Sequence, residues 1–316
     1  MKNVSLSASI PVVFTLAIGV TFAQQSSLVL PPSPTSTSNS NSSDSSNIMV
    51  QPKTSPTVPP RRGFFASWEK RVHKTMSQQP AWPIPLVTAS SGLIECFRSD
   101  FARQITPAGT DTWIYGNSKG TNLVPWYNTE FDVAAPPYVQ HNSTAEDGFG
   151  DFSMLLKYRL AAGDRNNGNY SLSAGIGSTL PTGSYKNGGL DATIAPTVYA
   201  GKGFGRFDVQ STFGATLPFA DTAKVGRVIA WNTVGQYHIA KFFWPEIEDN
   251  AFFYHAGPND GRIQNFVTPG LIFSKINFKR DSHNNSALIL GGGMQIATSH
   301  FHTYNHGLVL TVRTLF

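Results

Sequence analysis

The chain has 316 residues, of which 40% are hydrophobic and only 14% charged, and its formal net charge is +5. A charged fraction well below the roughly 25% of ordinary soluble domains argues against a plain cytosolic enzyme. After residue 23 no run approaches the roughly 20 consecutive apolar residues that cross a bilayer as a helix, which excludes a helical membrane protein.

The first segment, residues 1–23, has the pattern of a secretory signal peptide. Lys2 precedes an apolar stretch from Ile10 to Ala23, which suits the hydrophobic region of such a signal and is short for a membrane span. We predict cleavage near Ala23 and export. Residues 24–60 are rich in Ser, Thr and Pro, a composition that predicts a disordered linker because it cannot bury enough apolar surface.

A basic amphipathic segment follows at residues 61–85. Its apolar side chains recur at helical spacing opposite basic ones, and they are Phe64, Phe65, Trp68, Val72 and Met76. Such a helix either lies on a membrane surface or docks on or inside the domain that follows it.

The strongest pattern in residues 86–316 is an alternation of apolar and small polar side chains. Along residues 170–180, Tyr170, Leu172 and Ile176 alternate with serine, threonine and glycine, and successive side chains of a strand face opposite sides. Residues 152–160, 207–217 and 308–316 repeat the pattern with charges on the polar side. A soluble sandwich and an outer-membrane barrel both produce such an alternation.

The length of the segments separates these two architectures. Most runs have 11 residues or more, whereas sandwich strands average about five or six and tilted membrane strands need about 9–11. We therefore predict an all-β fold, a transmembrane antiparallel up-and-down barrel. Eleven runs are visible, one of them at residues 124–135, but bacterial single-chain barrels have even strand numbers. We expect twelve strands, with the missing one near 110–116 or before Leu93, and ten as the alternative.

The connections predict an orientation. Short links at 201–205 and 240–242 suit periplasmic turns, and longer ones at 181–189, 218–226, 255–261 and 299–307 suit external loops. The last strand then runs inward and Phe316 ends at the periplasmic rim. Three glycines within a strand, Gly291 to Gly293, suggest a bend or the close approach of another segment.

Two short motifs resemble a known family. Gly148-Phe149-Gly150-Asp151 leads into residues 155–160 (LLKYRL), and Leu180-Pro181-Thr182-Gly183 follows. Together with the alternation, these motifs over roughly residues 92–316 resemble the outer-membrane barrel family named for a meta-pathway (MetA-pathway) of phenol degradation. The resemblance implies a transport role in the outer membrane, with hydrophobic or aromatic compounds among the solutes, and it carries over no catalytic residue.

By parity, a set of polar and charged side chains should line the lumen. They are Arg98, Asp100, Glu130, Asp132, Lys157, Arg159, Arg206, Asp208, Asn232, Gln236, His238, Glu246, Glu248 and Arg313. In a narrow barrel such charges can pair across the interior and fill it. Alternatively, they form a polar constriction that selects a small solute by its charge.

Other chemistry has weaker support in the sequence. His300, His302 and His306 are weak candidates for a metal site, because two imidazoles two residues apart share one face of a strand. No serine lies in a nucleophile-elbow setting, so no enzymatic activity is expected. The basic residues are dispersed along the strands, which favours lipid headgroups over nucleic acid as their partners. We expect no cofactor.

Two functions remain open. The first is a channel or transporter for small solutes, with outer-membrane lipid around it. The second is a structural or adhesion barrel with a closed lumen, whose loops or N-terminal segment bind a partner. The oligomeric state is unknown from the sequence.

Overall fold

The computed structural model describes residues 63–277 and 286–316. The predicted signal peptide and linker lie outside these residues. The described part of the chain forms a helix, α1 (Phe64–Met76), and 15 strands, namely β1 (Cys96–Ile105), β2 (Asp111–Gly116), β3 (Gly120–Trp126), β4 (Thr129–Ala134), β5 (Tyr138–His141), β6 (Gly148–Phe149), β7 (Phe152–Gly163), β8 (Tyr170–Leu180), β9 (Thr193–Phe204), β10 (Phe207–Pro218), β11 (Arg227–Tyr237), β12 (Phe243–His255), β13 (Ile263–Asn277), β14 (Ala287–Ala297) and β15 (His306–Leu315).

The strands form a closed antiparallel barrel. From β7 to β15 each strand pairs with the next one along the chain, and β15 returns to pair with β1 from Cys96↔Leu315 to Ile105↔His306. The alternation is the local cause, since on β8 the residues Ser171 and Ser173 are buried while Leu172 and Ile176 are exposed. Small and polar side chains therefore line the lumen and apolar ones cover the outer surface.

Three neighbouring strands of the barrel are each divided into two pieces. The pieces are β2 and β3 in the first strand, β4 and β5 in the second, and β6 and β7 in the third. β2 and β3 both pair with β1, β3 continues to β4 and β7, and β2 continues to β5 and β6. Asn117 and Ser118 break the first of these strands with left-handed backbone conformations, and Pro136 and Pro137 break the second. Counted as one strand each, the three interrupted strands bring the described barrel to twelve.

The predicted twelve-stranded barrel is thus confirmed, and β2 supplies the missing strand near residues 110–116. One detail of the pattern was wrong. The run at 124–135, taken as a single strand, contains a turn at Tyr127 and Asn128 that separates β3 from β4. Asn128 has a φ of 60°, a left-handed conformation that asparagine tolerates better than most residues.

The two ends of the barrel differ in their connections. We call the end at which β1 begins the Cys96 end, and there the turns after β3, β9 and β11 are short. At the opposite end, which we call the Ile105 end, the connections are longer and include a short helix, α2 (Thr222–Val225), and a 3-10 turn at Gly257–Asn259. Within the described residues, no helix has the length and apolar character needed to cross a membrane.

Residues 77–95 contribute no strand to the barrel. This stretch, which we call the inner segment, lies between α1 and β1, and most of it is buried. The strands therefore start at Cys96 rather than at residue 86, where the barrel domain was predicted to begin. Residues 86–95 belong to the filling of the barrel and not to its wall.

Candidate functional site

The inner segment is an extended loop inside the lumen. Pro80, Pro83 and Pro85 lack a main-chain N–H and disfavour a helix. The two arms of the loop are joined at its base, where the Gln79 side chain donates to Leu93 O at 2.7 Å and accepts from Leu93 N at 3.0 Å. The loop thus enters and leaves the lumen at the Cys96 end.

Acidic side chains of the wall hold main-chain N–H groups of the inner segment. Glu246 accepts from Leu86 N at 3.0 Å. Glu248 accepts from Val87 N at 2.7 Å and from Thr88 N at 2.5 Å, one bond to each carboxylate oxygen. Neither glutamate forms an ion pair within the described residues, so the amide groups compensate these buried charges.

Basic side chains of β1 and β15 hold main-chain carbonyl groups of the inner segment. Arg313, which is fully buried, donates to Ile84 O and, at 2.6 Å, to Pro85 O. Arg98 donates to Leu86 O at 2.5 Å and forms an ion pair with Asp100 at 2.6 Å. Charge-assisted hydrogen bonds of this kind are about twice as strong as neutral ones.

The return arm of the loop is held in the same way. Lys157 and Glu130 form a buried ion pair at 2.8 Å, and Glu130 also accepts from Ile94 N at 2.5 Å while Lys157 donates to Ser90 O at 3.3 Å. Around the turn of the loop, three further wall residues bind Ser91. Gln210 accepts from its N–H at 3.0 Å, and Ser171 and Ser173 donate to its carbonyl at 3.0 and 2.8 Å.

Glycines of the wall make room for two bulky side chains of the inner segment. A Cβ atom at Gly291 or Gly293 would lie 2.9 or 2.8 Å from a methyl group of Leu86, and one at Gly270 would be closer still. Leu86 is 1% exposed and packs on Ile272 and Ile289. This arrangement, the Leu86 socket, explains the glycine run on β14 as a close approach of another segment.

Trp82 occupies a second recess in the wall. A Cβ atom at Gly201 would lie 2.6 Å from the indole ring, which leaves no room for it, and one at Gly203 would lie 3.0 Å from the ring, a tight contact. We call this recess of β9 the Trp82 socket. The two sockets fix the inner segment by shape, whereas the charged side chains fix it by hydrogen bonds to its main chain.

The helix α1 covers the entrance at the Cys96 end. Trp68 Nε1 donates to Glu95 at 2.5 Å, and the second oxygen of Glu95 accepts from Val124 N at 3.0 Å. Arg71 lies over the Trp68 ring at 4.6 Å. Burial raises the pKa of the Glu95 carboxyl above its usual value, although the hydrogen bonds from Trp68 and Val124 oppose the shift. The basic segment therefore docks on its own barrel.

Arg159 joins the helix, the inner segment and the wall. Its guanidinium group donates to Thr75 O at 2.7 Å, to Gln79 Oε1 at 3.0 Å and to Asn128 Oδ1 at 2.6 Å. It lies beside a cavity of about 380 Å³ at the Cys96 end. Arg159 thus connects the point where the inner segment enters the lumen to the turn after β3.

The structure places the predicted lumen residues as follows. A first group contacts the inner segment directly, and it comprises Arg98, Glu130, Lys157, Arg159, Glu246, Glu248 and Arg313. A second group faces the lumen and contacts other wall residues, and it comprises Asp100, Asp132, Asp208, Asn232 and Gln236.

Two of the predicted lumen residues lie at the rim. Arg206 is exposed in the turn between β9 and β10, because the strand that would have turned it inward begins only at Phe207. It is therefore not a lumen partner of Asp208. His238 lies just beyond β11 and stacks on Trp244 with ring centroids 4.2 Å apart.

The histidines near the C-terminus do not converge. His302 is held by Ser299 O at 2.9 Å and Asn305 Oδ1 at 2.8 Å, while His300 and His306 are exposed. In the described ranges, no three His, Cys, Asp or Glu side chains are grouped as metal ligands. His302 instead anchors a loop at the Ile105 end, where Tyr304 stacks on Phe266 at 4.4 Å.

The sequence did not predict that residues 77–95 fill the lumen. The alternation places Gln210, Ser171 and Ser173 on the inner face of the wall, but it does not predict that they bind the inner segment. A signal was present, since residues 80–95 (PAWPIPLVTASSGLIE) carry a single charge and many apolar side chains, unlike the Ser-rich stretch before them. An apolar stretch with three prolines argues against a solvent-exposed linker, but it does not identify the lumen as its position.

The two motifs behind the family resemblance contact each other. Asp151 accepts from Gly183 N at 2.9 Å and from Gly189 N at 2.6 Å, and Phe152 N donates to Thr182 at 2.9 Å. They fix the loop between β8 and β9 at the Ile105 end. The motifs therefore have a structural role in this barrel.

The sequence matches no protein family model and no curated protein. Among solved structures, the fold is similar to an outer membrane channel from Pseudomonas putida F1, with 15% identity and a TM-score of 0.50 over 71% of this chain and 96% of that chain. It is also similar to the NanC porin, with 9% identity and a TM-score of 0.47 over 70% of this chain and 98% of the porin. The first similarity agrees with the class of fold described above, a closed antiparallel barrel. The MetA-pathway relationship stays a prediction.

Proposed function

We propose that the protein is a gated channel of the bacterial outer membrane, closed when the inner segment occupies the lumen and open when that segment withdraws at the Cys96 end. The observation that carries the proposal is the filling of the lumen by a segment held through side chains of the wall, not through strand pairing. The outward apolar face fits lipid as its surroundings, and the outer membrane channel of similar fold agrees with this reading.

The chemistry of the contacts favours a removable segment. Removal exposes the carboxylates of Glu246 and Glu248 and the guanidinium groups of Arg98 and Arg313 to water, which solvates charged groups well. The ladder of the barrel stays intact, because the inner segment pairs with none of its strands. Withdrawal would leave a lumen lined by acidic groups on β12 and basic groups on β1 and β15, a lining that favours solutes with hydrogen-bonding groups over wholly apolar ones.

A reversible covalent lock tests the gate. A Cβ atom at Gly201 would lie 3.2 Å from Ser91 Cβ, close to the separation of about 3.5–4.5 Å that a disulfide needs. Trp82 crowds the same position, so Ser91→Cys and Gly201→Cys are combined with Trp82→Ala and with Cys96→Ser, which removes the native thiol. The Trp82→Ala change also loosens the closed state.

We expect this variant to conduct ions in planar bilayers when reduced and to be silent when oxidised. The same chain with only one of the two new cysteines is the matched control and should conduct under both conditions. Conductance that is independent of the disulfide would contradict gating by the inner segment.

The filled lumen also favours a second candidate function, a structural or adhesion barrel that never opens. It predicts that the Trp82→Ala variant folds and inserts but passes neither ions nor solutes in the reduced state. The same recordings therefore separate the two functions. The expectation of hydrophobic or aromatic solutes rests on the family resemblance alone.

A further inference from the structure

We infer that the substrate of this channel is an extended peptide, and that the inner segment occupies the peptide's site in the closed state. The inference rests on the proposed channel function and names its substrate class. It follows from which atoms of the inner segment the wall recognises.

The wall recognises the main chain of the inner segment more than its side chains. Glu246, Glu248, Gln210 and Glu130 accept from main-chain N–H groups of residues 86, 87, 88, 91 and 94. Carbonyl groups of residues 83–86, 90 and 91 accept from side chains of the wall, which are Gln210, Arg313, Arg98, Lys157, Ser171 and Ser173. Every peptide carries these groups, whatever its sequence.

Between residues 80 and 91 the wall recognises side chains at few positions, and Ile84 and Ala89 add only apolar packing on wall residues. Leu86 and Trp82 fill sockets that glycines create in β9, β13 and β14, and they are four residues apart. Thr88 accepts from Asn250 at 3.2 Å and Ser91 donates to Gln210 at 3.2 Å, and both are small hydroxyl contacts. Main-chain bonds for affinity and side-chain sockets for selectivity are how proteins bind extended peptides.

The conformation of the inner segment supports the same reading. Pro80, Pro83 and Pro85 keep its first arm extended, so that the main-chain groups of this arm point to the wall. A small apolar solute offers neither set of groups and would leave Glu248 and Arg313 without partners in a confined space. A proline-containing peptide with two bulky apolar residues offers the same main-chain N–H and C=O groups to the wall and fills the same two sockets.

The test uses the full chain with Leu86→Ala, which empties the Leu86 socket and leaves the wall unchanged. The probe is a synthetic peptide of alanine and proline with Trp and Leu four residues apart, carrying a fluorophore. We expect saturable binding to the protein in detergent by fluorescence anisotropy. Replacing the Trp and Leu of the probe by glycine should weaken binding at least tenfold.

A second variant checks that the peptide binds in the lumen. Gly270→Val, added to Leu86→Ala, fills the emptied socket from the wall side and should weaken binding at least tenfold, whereas Val198→Ala on the exposed face of β9 should change nothing. In planar bilayers the peptide should reduce the current of the Leu86→Ala channel at the concentrations at which it binds.

The outcomes separate the two proposals. Current without any effect of the peptide, and without saturable binding, would overturn peptide recognition and leave the channel intact. Saturable binding without current would overturn the proposed channel function and support a barrel that binds peptides without transporting them. Binding that Gly270→Val does not affect would place the peptide outside the lumen and overturn the inference.

Discussion

The outer and inner faces of the same strands follow different rules. On the outer face of β8, Leu172 and Ile176 are exposed, and any apolar side chain would serve there. On its inner face, Ser171 and Ser173 each donate to one carbonyl group, that of Ser91, about 80 residues away in the chain. The outer face thus needs only a class of residue, whereas the inner face needs particular atoms at particular positions. Substitutions on the two faces should therefore differ in kind.

The largest effect should come from separating the buried ion pair of the inner face. Lys157 and Glu130 are at most 2% exposed, and Lys157→Ala leaves a buried carboxylate without its partner. Such a loss costs about 3–5 kcal/mol. Urea unfolding in lipid vesicles measures it.

The double variant Lys157→Met with Glu130→Gln is the control for this prediction. It removes both charges and keeps an oxygen that can accept from Ile94 N. It should recover most of the lost stability. A double variant as unstable as Lys157→Ala would show that the pair itself, and not the orphaned charge, determines the cost.

The next effect tests the outer face. Ile176 lies near the middle of β8 and points outward, so Ile176→Arg should cost about 2–4 kcal/mol in a bilayer. Leu172 lies two residues from the end of the strand, and Leu172→Arg should cost about 0–1 kcal/mol. Unfolding in vesicles compares them, with Ile176→Ala and Leu172→Ala as controls for lost packing. Equal costs at the two positions would contradict lipid contact at this face.

These two faces also show what a sequence can predict. The alternation placed Leu172 outside and Ser173 inside because it depends only on the local geometry of a strand. It did not reveal that Glu248 binds Val87 N, because these residues are 161 positions apart and no local pattern couples them. The prediction that Arg206 faces the lumen was wrong for a local reason, because Arg206 lies in a turn and side chains alternate between the two faces only within a strand.

The sequence prediction divided the inner segment between the basic amphipathic segment, which ends at residue 85, and the beginning of the barrel at residue 86. The three prolines and apolar side chains of the inner segment exclude a helix but fit a strand edge, a loop or a buried extended chain equally well. What selects the last is the ring of glycines and charged groups around it, which exists only after the barrel has closed. The fold could therefore be predicted from alternation, whereas the closed lumen could not.

A smaller effect should mark the boundary between the barrel and α1. Trp68→Phe keeps an aromatic ring over which Arg71 can lie, but it removes the hydrogen bond to Glu95. A hydrogen bond to a charged group contributes about 1.5–3 kcal/mol, and water replaces part of this one at the barrel end. We expect faster amide exchange in α1 and unchanged exchange in the strands. Faster exchange in both would mean that α1 stabilises the whole barrel and does not act as a separate cover.

The smallest effect is a pH dependence of stability through Glu95. Burial in the folded protein raises the pKa of Glu95, so the folded state binds a proton more tightly than the unfolded one. The resulting stabilisation is fully present below the pKa of the free carboxyl and is lost as the pH rises through the raised value. Glu95→Gln removes the titrating group and keeps an acceptor for Trp68. The free energy of unfolding in vesicles should therefore fall more for the native chain than for Glu95→Gln as the pH rises from mildly acidic to neutral. An unchanged difference between the two chains over this range would show that Glu95 does not couple the stability of the barrel to protons.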